Sequence, residues 1–381
     1  MKIEIVNPFK NIALALGLFY LFYFAMIGVY VIFMPKVLKD IGYSAVEIGA
    51  IYTSAPLMRF LLPFVFKRWI KLTHTIFFIS LVTTFLTTAL FFITIDSFWI
   101  FLLLNLLFGG AMGAVLPFVE IIAIEQIGKE RYGKVRLWGS IGFSLIAFIL
   151  GNILSNYIMA LSILLLMTLF TMLTGFILVN FDKKSAKEEN LELNRNFSLK
   201  KYWAFWISIF LFQFSFGGFY NFFTIYETSN GISLDIVSYL WIFGVVCEIA
   251  MLMFQGVLLQ RFNLLDLILI STFTGVIRWI IVAFYPTNLT LILLSQATHA
   301  LTFALYYSAS IAYVYRVYQQ KRLAQQFYLG IGFGLGGATG AIVSGVIYDY
   351  SPKGLFIFEA FIAFCATAIL LIHKKRREYG A

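Results

Sequence analysis

Charge is scarce in this sequence. Of its 381 residues 12% are Asp, Glu, Lys or Arg, 61% are hydrophobic, and the mean hydropathy is +0.90. Soluble domains carry about 25% charged residues, so water cannot be the solvent for most of this chain. Cysteine is scarcer still. Cys247 and Cys365 both lie inside apolar runs, which excludes a disulfide framework and a cysteine metal site and leaves both as small packing residues. A short leader with a cleavage site is also missing: the first apolar run starts near Asn11, is long enough to span, and is followed by further spans, so the first helix is expected to be retained. No Ser-His-Asp, HExxH or metal-spaced cluster is found, so neither an enzyme nor a bound cofactor or metal is expected.

What the chain does contain is twelve apolar runs of the length that a bilayer core of about 30 Å asks of a helix. They fall near residues 11–34, 44–66, 72–95, 98–125, 132–155, 158–180, 201–228, 234–258, 264–285, 289–315, 322–349 and 354–373. The fold class expected is an all-α membrane protein of twelve transmembrane helices. Its net charge of +10 is distributed by topology. With the N-terminus inside, the cytoplasmic segments hold Lys2, Lys10, Lys67, Arg68, Lys71, Lys129, Arg131, Lys134, Arg261, Arg316, Lys321, Arg322 and the tail from Lys374 to Arg377, while the other side keeps Lys36, Lys39 and Lys353. That asymmetry places both termini in the cytoplasm, and it accounts for the basic balance without nucleic acid as a partner.

The one long polar stretch, DKKSAKEENLELNRNFSLKK from Asp182 to Lys201, follows the sixth span. It divides the chain into an N-terminal six-helix half, 1–180, a cytoplasmic linker, 181–200, and a C-terminal six-helix half, 201–381, the layout of a transporter built from parallel repeats. An offset of 189 residues aligns Gly42-Tyr43-Ser44 with Gly231-Ile232-Ser233 and carries Arg59 onto Glu248.

Charged side chains inside spans are costly and mark functional candidates. They are Arg59, Glu120, Arg136, Glu248, Arg278 and His299. Glu120 and Arg136 stand eight residues either side of Gly128, in the loop joining the fourth and fifth spans, and should reach matching depth. Such a pair either fixes the hairpin or opens to bind a polar or anionic solute, for which Arg offers a planar fork and Glu two acceptors. Glu248 has no charged neighbour within a helical turn, so its partner must come from another helix; a tunable buried carboxyl suits proton coupling. His299 and Arg278 lie on consecutive spans, and the imidazole is either a relay or a hydrogen-bonded packing residue. Arg59 fits either an anion site or a tether between the halves. Glu47, Glu125, Glu227, Asp349 and Glu359 lie near span ends and are expected to be solvated. The Phe and Tyr residues read mainly as lipid-facing and interfacial bulk, with Tyr30, Tyr220, Asn221 and Trp241 as candidates to line a cavity. Gly332-x-Gly334-x-x-Gly337 has the letters of a dinucleotide fingerprint, but no strand precedes it; like Gly109-x-x-x-Gly113 and Gly336-x-x-x-Gly340 it reads as helix-packing glycine.

The run from Glu120 through Gly133-Lys134-Val135-Arg136-Leu137-Trp138-Gly139-Ser140 resembles the hairpin between the fourth and fifth helices of the 3-phenylpropionate permease family, a branch of the major facilitator superfamily close to lactose permease. The likeness continues through Met58-Arg59-Phe60, Tyr239-Leu240-Trp241, Gly244-Val245-Val246 leading to Glu248, the segment Gly275 to Trp279, and His299, and so covers most of the chain. It implies a major facilitator fold and proton symport. By position, Glu120 and Arg136 match sugar-binding residues of lactose permease, and Glu248, Arg278 and His299 its coupling and binding residues. Departures accompany the likeness. Thr302 stands where lactose permease has its proton-carrying Glu, Phe143 replaces its stacking Trp, the two acids of its seventh helix fall near Gln213 and Phe216, and their lysine partners fall near Gln296 and among the glycines of the eleventh span.

The reading that follows is a proton-coupled symporter working by alternating access on a small organic solute, an aromatic or other organic acid or a sugar, with nucleosides also in play. Glu120, Arg136, Glu248, Tyr30, Tyr220 and Asn221 are the expected substrate-binding residues; Glu248, His299 and Arg278 are the expected proton-coupling residues. The alternatives are an exporter or uniporter of a related solute, and a membrane receptor that binds without transporting. Three arginines expected to be buried, Arg59, Arg136 and Arg278, favour an organic anion. The partners expected are a small-molecule substrate, protons and lipid, with the protein monomeric in a bacterial cytoplasmic (inner) membrane.

Overall fold

The computed structural model describes residues 11–68, 73–179, 181 and 198–379. Nearly all of the 181–200 linker, and with it Lys2, Lys10 and Lys71, lies outside the described residues. Among the described residues, twelve helices are long and apolar enough to cross a membrane. They are α1 (Ile12–Asp40), α2 (Ala45–Val65), α3 (His74–Thr94), α4 (Phe98–Gly128), α5 (Arg131–Ile153), α6 (Tyr157–Val179), α7 (Lys200–Ser229), α8 (Leu234–Arg261), α9 (Leu264–Phe284), α10 (Leu289–Val317), α11 (Leu323–Tyr350) and α12 (Pro352–Arg376). The hydropathy runs locate every one of them, and the largest discrepancy is at α1, which continues to Asp40 beyond its apolar run.

Local chemistry explains where these helices start and turn. Asn11, Thr73, Asn263 and Asn288 each accept a backbone N–H of the first turn of α1, α3, α9 and α10, as N-caps do. The turns after α1 and α7 contain Gly42 (φ 107°) and Gly231 (φ 90°), a left-handed backbone that glycine adopts without strain. These two glycines are the ones that the 189-residue offset superposes.

Four spans depart from regular α-helix. Five to eight residues are π-helical in α1 (Val29–Phe33), α10 (Ala300–Leu305) and α11 (Leu329–Gly336), a form that recurs at functional sites. α7 is interrupted: one helical piece ends at Phe214 and the next begins at Gly217. The cause is local, because Ser215 Oγ donates to the Phe212 carbonyl at 2.7 Å and two glycines follow, a combination that favours kinks.

The described residues pack as two units. The first comprises those within Met1–Val37 and Leu62–Glu189, the second those within Leu38–Leu61 and Asn190–Ala381. In the first unit α1 packs on α5 where Gly28 admits Ile146 and Phe143, and where Gly142 meets the Leu21 backbone; Thr88 and Thr168 join α3 to α6 at 3.0 Å. Small residues at such crossings let backbones approach closely.

The second unit includes most of α2. Gly49 and Gly345 bring α2 against α11, Thr53 Oγ1 donates to the Ala338 carbonyl at 3.1 Å, and Asp349 accepts the Ala45 and Val46 N–H groups at 3.0 and 3.2 Å. Asp349 therefore caps a helix other than its own. Within this unit the glycines of α11 serve packing: a Cβ on Gly336 would meet the Phe210 carbonyl, and one on Gly340 the Phe214 carbonyl, both on α7. Trp279, Tyr306, Tyr328, Phe205, Phe212, Phe219 and Phe222 are fully or nearly fully buried. The aromatic residues thus build much of the interior, where the sequence reading assigned them mainly to the lipid face; hydropathy is the same in both settings.

Candidate functional site

Most of the charged candidates fall in two clusters of polar side chains, one within each unit. In the first unit, Gly128 takes a non-helical conformation (φ 76°, ψ 159°) that folds α5 back along α4. Eight residues to either side, Arg136 Nε lies 3.9 Å from Glu120 Oε1, and both side chains are about one-third exposed, 31% and 37%. This is a loose ion pair at the limit of contact. Tyr132, one turn before Arg136 on the same face, donates to Glu120 Oε1 at 3.1 Å. The guanidinium is stacked over Phe24, 4.0 Å from the ring centroid, and lies 5.3 Å from that of Tyr20. Tyr20 is fully buried, and its hydroxyl has no hydrogen-bond partner. Gly139 makes room for Phe24 and for the Arg136 Nη1. The result is a cation with an aromatic floor and a weakly held carboxylate.

The cluster of the second unit differs in kind. Arg278 on α9 is fully buried. Its Nη1 donates to Thr302 Oγ1 at 3.1 Å and contacts His299 Nδ1 at 3.0 Å, its Nη2 donates to Gln296 Oε1 at 3.2 Å, and its Nε has no partner. Arginine can only donate, so His299 Nδ1 must be the bare nitrogen and Nε2 carries the proton. That nitrogen faces Glu248 Oε2 on α8 at 3.7 Å, an ion pair when the imidazole is charged. Glu248 is thereby supplied with the partner from another helix that its sequence setting required. Rings of Phe219, Trp279 and Phe216 surround the guanidinium at 4.2, 4.8 and 5.8 Å. Among the described residues no carboxylate is within ion-pair distance of Arg278.

The other predicted residues are placed separately. Tyr30 is buried and donates to Asn105 Oδ1 at 2.8 Å within the first unit. Tyr220 is half-buried beside Trp241, ring centroids 6.4 Å apart, and Asn221 is buried. Three buried arginines were expected, and the structure corrects this: Arg278 alone of the three is buried, Arg136 is intermediate and Arg59 is exposed. Glu227 and Glu359, expected to be solvated, are both fully buried. Their closeness to span ends misled the reading, because neighbouring helices cover them. Phe24, Tyr20, Tyr132 and Phe219 were not anticipated. The four-residue spacing of Tyr132 from Arg136 was a usable signal, since i and i+4 share a helix face; the aromatic residues gave none in so aromatic a chain.

Comparison with known proteins places these clusters in context. The model of the MFS_1 like family matches residues 13–358. The chain belongs to that family. It is 28% identical over 370 residues to the "Probable 3-phenylpropionic acid transporter" of Escherichia coli (strain K12), covering 92% of this chain and 94% of the relative. It is also 21% identical over 295 residues to the maltose permease of Geobacillus stearothermophilus, covering 74% and 73%. Among solved structures, the nucleoside transporter NupG superposes with a TM-score of 0.81 at 17% identity, covering 96% of this chain and 100% of that one. The family member described here is an integral membrane protein and a secondary transporter of the major facilitator type, and its relatives are transporters, not enzymes.

Proposed function

We propose that this transporter is a proton-coupled symporter of aromatic organic acids, residing in a bacterial cytoplasmic membrane with both termini inside and working by alternating access between its 1–180 and 201–381 halves. The observation that carries the reading is the Arg136 cluster. A guanidinium stacked on Phe24, with the Glu120 carboxylate at the 3.9 Å limit and partly exposed, can exchange that partner at little cost. A solute carboxylate takes the place of Glu120 on the Arg136 fork, and a solute ring packs against Phe24. Tyr132 retains Glu120 once the arginine has been given up.

Proton coupling is assigned to Glu248 with His299 and Arg278. Glu248 receives and releases the proton, His299 Nε2–H faces its carboxylate, and Arg278 holds the imidazole in that tautomer through Nδ1. Thr302, at the position of an acid in lactose permease, and Gln296, near that of a lysine, contribute two of the contacts of Arg278. The resemblance of the chain to a 3-phenylpropionic acid transporter supports the substrate class.

The reading is tested by thermal unfolding of the purified protein with 3-phenylpropionate, maltose or uridine, since a ligand of the folded state raises the melting temperature by mass action. Stabilisation by 3-phenylpropionate that is lost in Arg136→Ala is the expected result. Stabilisation by maltose or uridine alone would move the substrate class to sugars or nucleosides. For coupling, Glu248→Gln should abolish uphill uptake driven by an inward proton gradient while downhill exchange continues; unimpaired uphill uptake contradicts the assignment.

A further inference from the structure

The interruption of α7 is held by two ionisable residues from other helices. From α9, Arg278 stacks over Phe219 and Phe216, and its neighbour Trp279 has Nε1 3.4 Å from Ser215 Oγ. From α12, Glu359 Oε1 accepts the N–H of Gly218. Gly218 is at the start of the second helical piece, where N–H groups have no carbonyl partner of their own and favour a negative acceptor. A side chain at Gly218 would collide with the Glu359 carboxyl, and one at Gly217 with the Gly340 backbone. The break, Glu359 and α11 are therefore fitted to one another.

Glu359 is fully buried, and its Oε2 has no hydrogen-bond partner. Among the described residues no cation pairs with it, so ionisation here would create a buried charge without an ion pair. The groups facing it are few. α9 contributes Arg278, within electrostatic range but not in contact; α11 contributes Ser344, and α7 only the N–H groups of Gly218 and Phe219. Along α12 itself, Lys353, His373 and Lys374 are six or more residues away.

We infer that Glu359 is a second proton-binding site, and that its charge sets the geometry of the α7 break. This rests on the proton-coupled reading above. Protonated, Glu359 offers the break a single neutral acceptor. Deprotonated, it becomes a full negative charge that draws the N–H groups of Gly218 and Phe219 and the guanidinium of Arg278 toward it. Since Arg278 also holds His299 and through it Glu248, the state of Glu359 is felt by the coupling cluster along a continuous chain of side chains. No bond beyond O–H is made or broken: the proton leaves Oε2 for solvent as the site opens and returns from it on the other side.

Infrared difference spectroscopy of the purified wild-type protein across a pH titration, compared with Glu359→Gln, Glu248→Gln and Glu227→Gln, tests this without a substrate. Gln keeps the acceptor for Gly218, so the fold should survive. The expected result is a titrating carbonyl band of a buried carboxylic acid that is lost in Glu359→Gln and retained in the other two variants. A pH-difference spectrum of Glu359→Gln identical to wild type overturns the inference. In proteoliposomes, Glu359→Gln should lose accumulation of 3-phenylpropionate under a proton gradient and retain counterflow; retained accumulation also overturns it. If wild type transports no 3-phenylpropionate, the substrate reading fails, and the infrared comparison alone decides for or against Glu359.

Discussion

Arg136 and Arg278 are both arginines inside predicted spans, but they occupy opposite settings. Arg136 is partly exposed, stacked on one aromatic ring and loosely paired with an acid. Arg278 is fully buried, hydrogen-bonded to three neutral side chains and ringed by aromatics, with no acid in contact. The difference separates a group that can trade partners from one that cannot. An exposed ion pair contributes about 0–1 kcal/mol, so its rearrangement is cheap and suits ligand exchange. A buried cation held by three side chains from a neighbouring helix is costly to disturb, and suits transmission of a change made elsewhere.

Substitutions should expose that contrast. The largest effect is expected at Arg278→Ala, which leaves His299, Gln296 and Thr302 facing an empty buried volume. Loss of a large buried side chain and of the donor to these acceptors should destabilise by about 2–5 kcal/mol, read as a large fall in melting temperature. A fall as small as that of Arg136→Ala would erase the distinction between the two clusters. Arg136→Ala should instead act on binding: losing a charge-assisted contact of about 1.5–3 kcal/mol lowers affinity for 3-phenylpropionate by roughly ten- to a hundredfold, with melting temperature nearly unchanged. Isothermal titration and thermal unfolding on the same preparation separate the two quantities.

Asp349→Ala sharpens the comparison from outside both clusters. It removes the acceptor that Ala45 and Val46 use at the start of α2, and helix-cap losses cost about 1 kcal/mol. Melting temperature should drop modestly, and ligand affinity should not change. Smallest of all, Tyr132→Phe takes one hydrogen bond from Glu120, worth about 1 kcal/mol. By freeing Glu120 to compete for Arg136, it should weaken 3-phenylpropionate binding slightly, visible in isothermal titration.

The twelve spans were legible because helix length in a bilayer is dictated by hydropathy alone, and the Glu120 and Arg136 contact was legible because equal arms about a glycine turn reach equal depth. What was not legible depends on neighbours remote in sequence. Nothing in the α7 sequence identifies which helices hold Ser215–Gly218, since Arg278 and Glu359 follow it by more than 60 and more than 140 residues. Glu359 and Glu227 were assigned to solvent from their place along the helix, whereas burial is decided by what packs around the helix. Arg59 shows the converse: a charge well inside an apolar run that the fold leaves exposed. Thr302 and Gln296 were noticed as departures from the lactose permease pattern, and the structure gives them a positive use as neutral acceptors for Arg278.

The central claim is that an aromatic acid moves with protons, and uptake of radiolabelled 3-phenylpropionate into proteoliposomes under an imposed inward proton gradient tests it most directly. The account predicts accumulation above the equilibrium level, abolished by a protonophore and by Arg136→Ala. Uptake that merely equilibrates and ignores the gradient would contradict it.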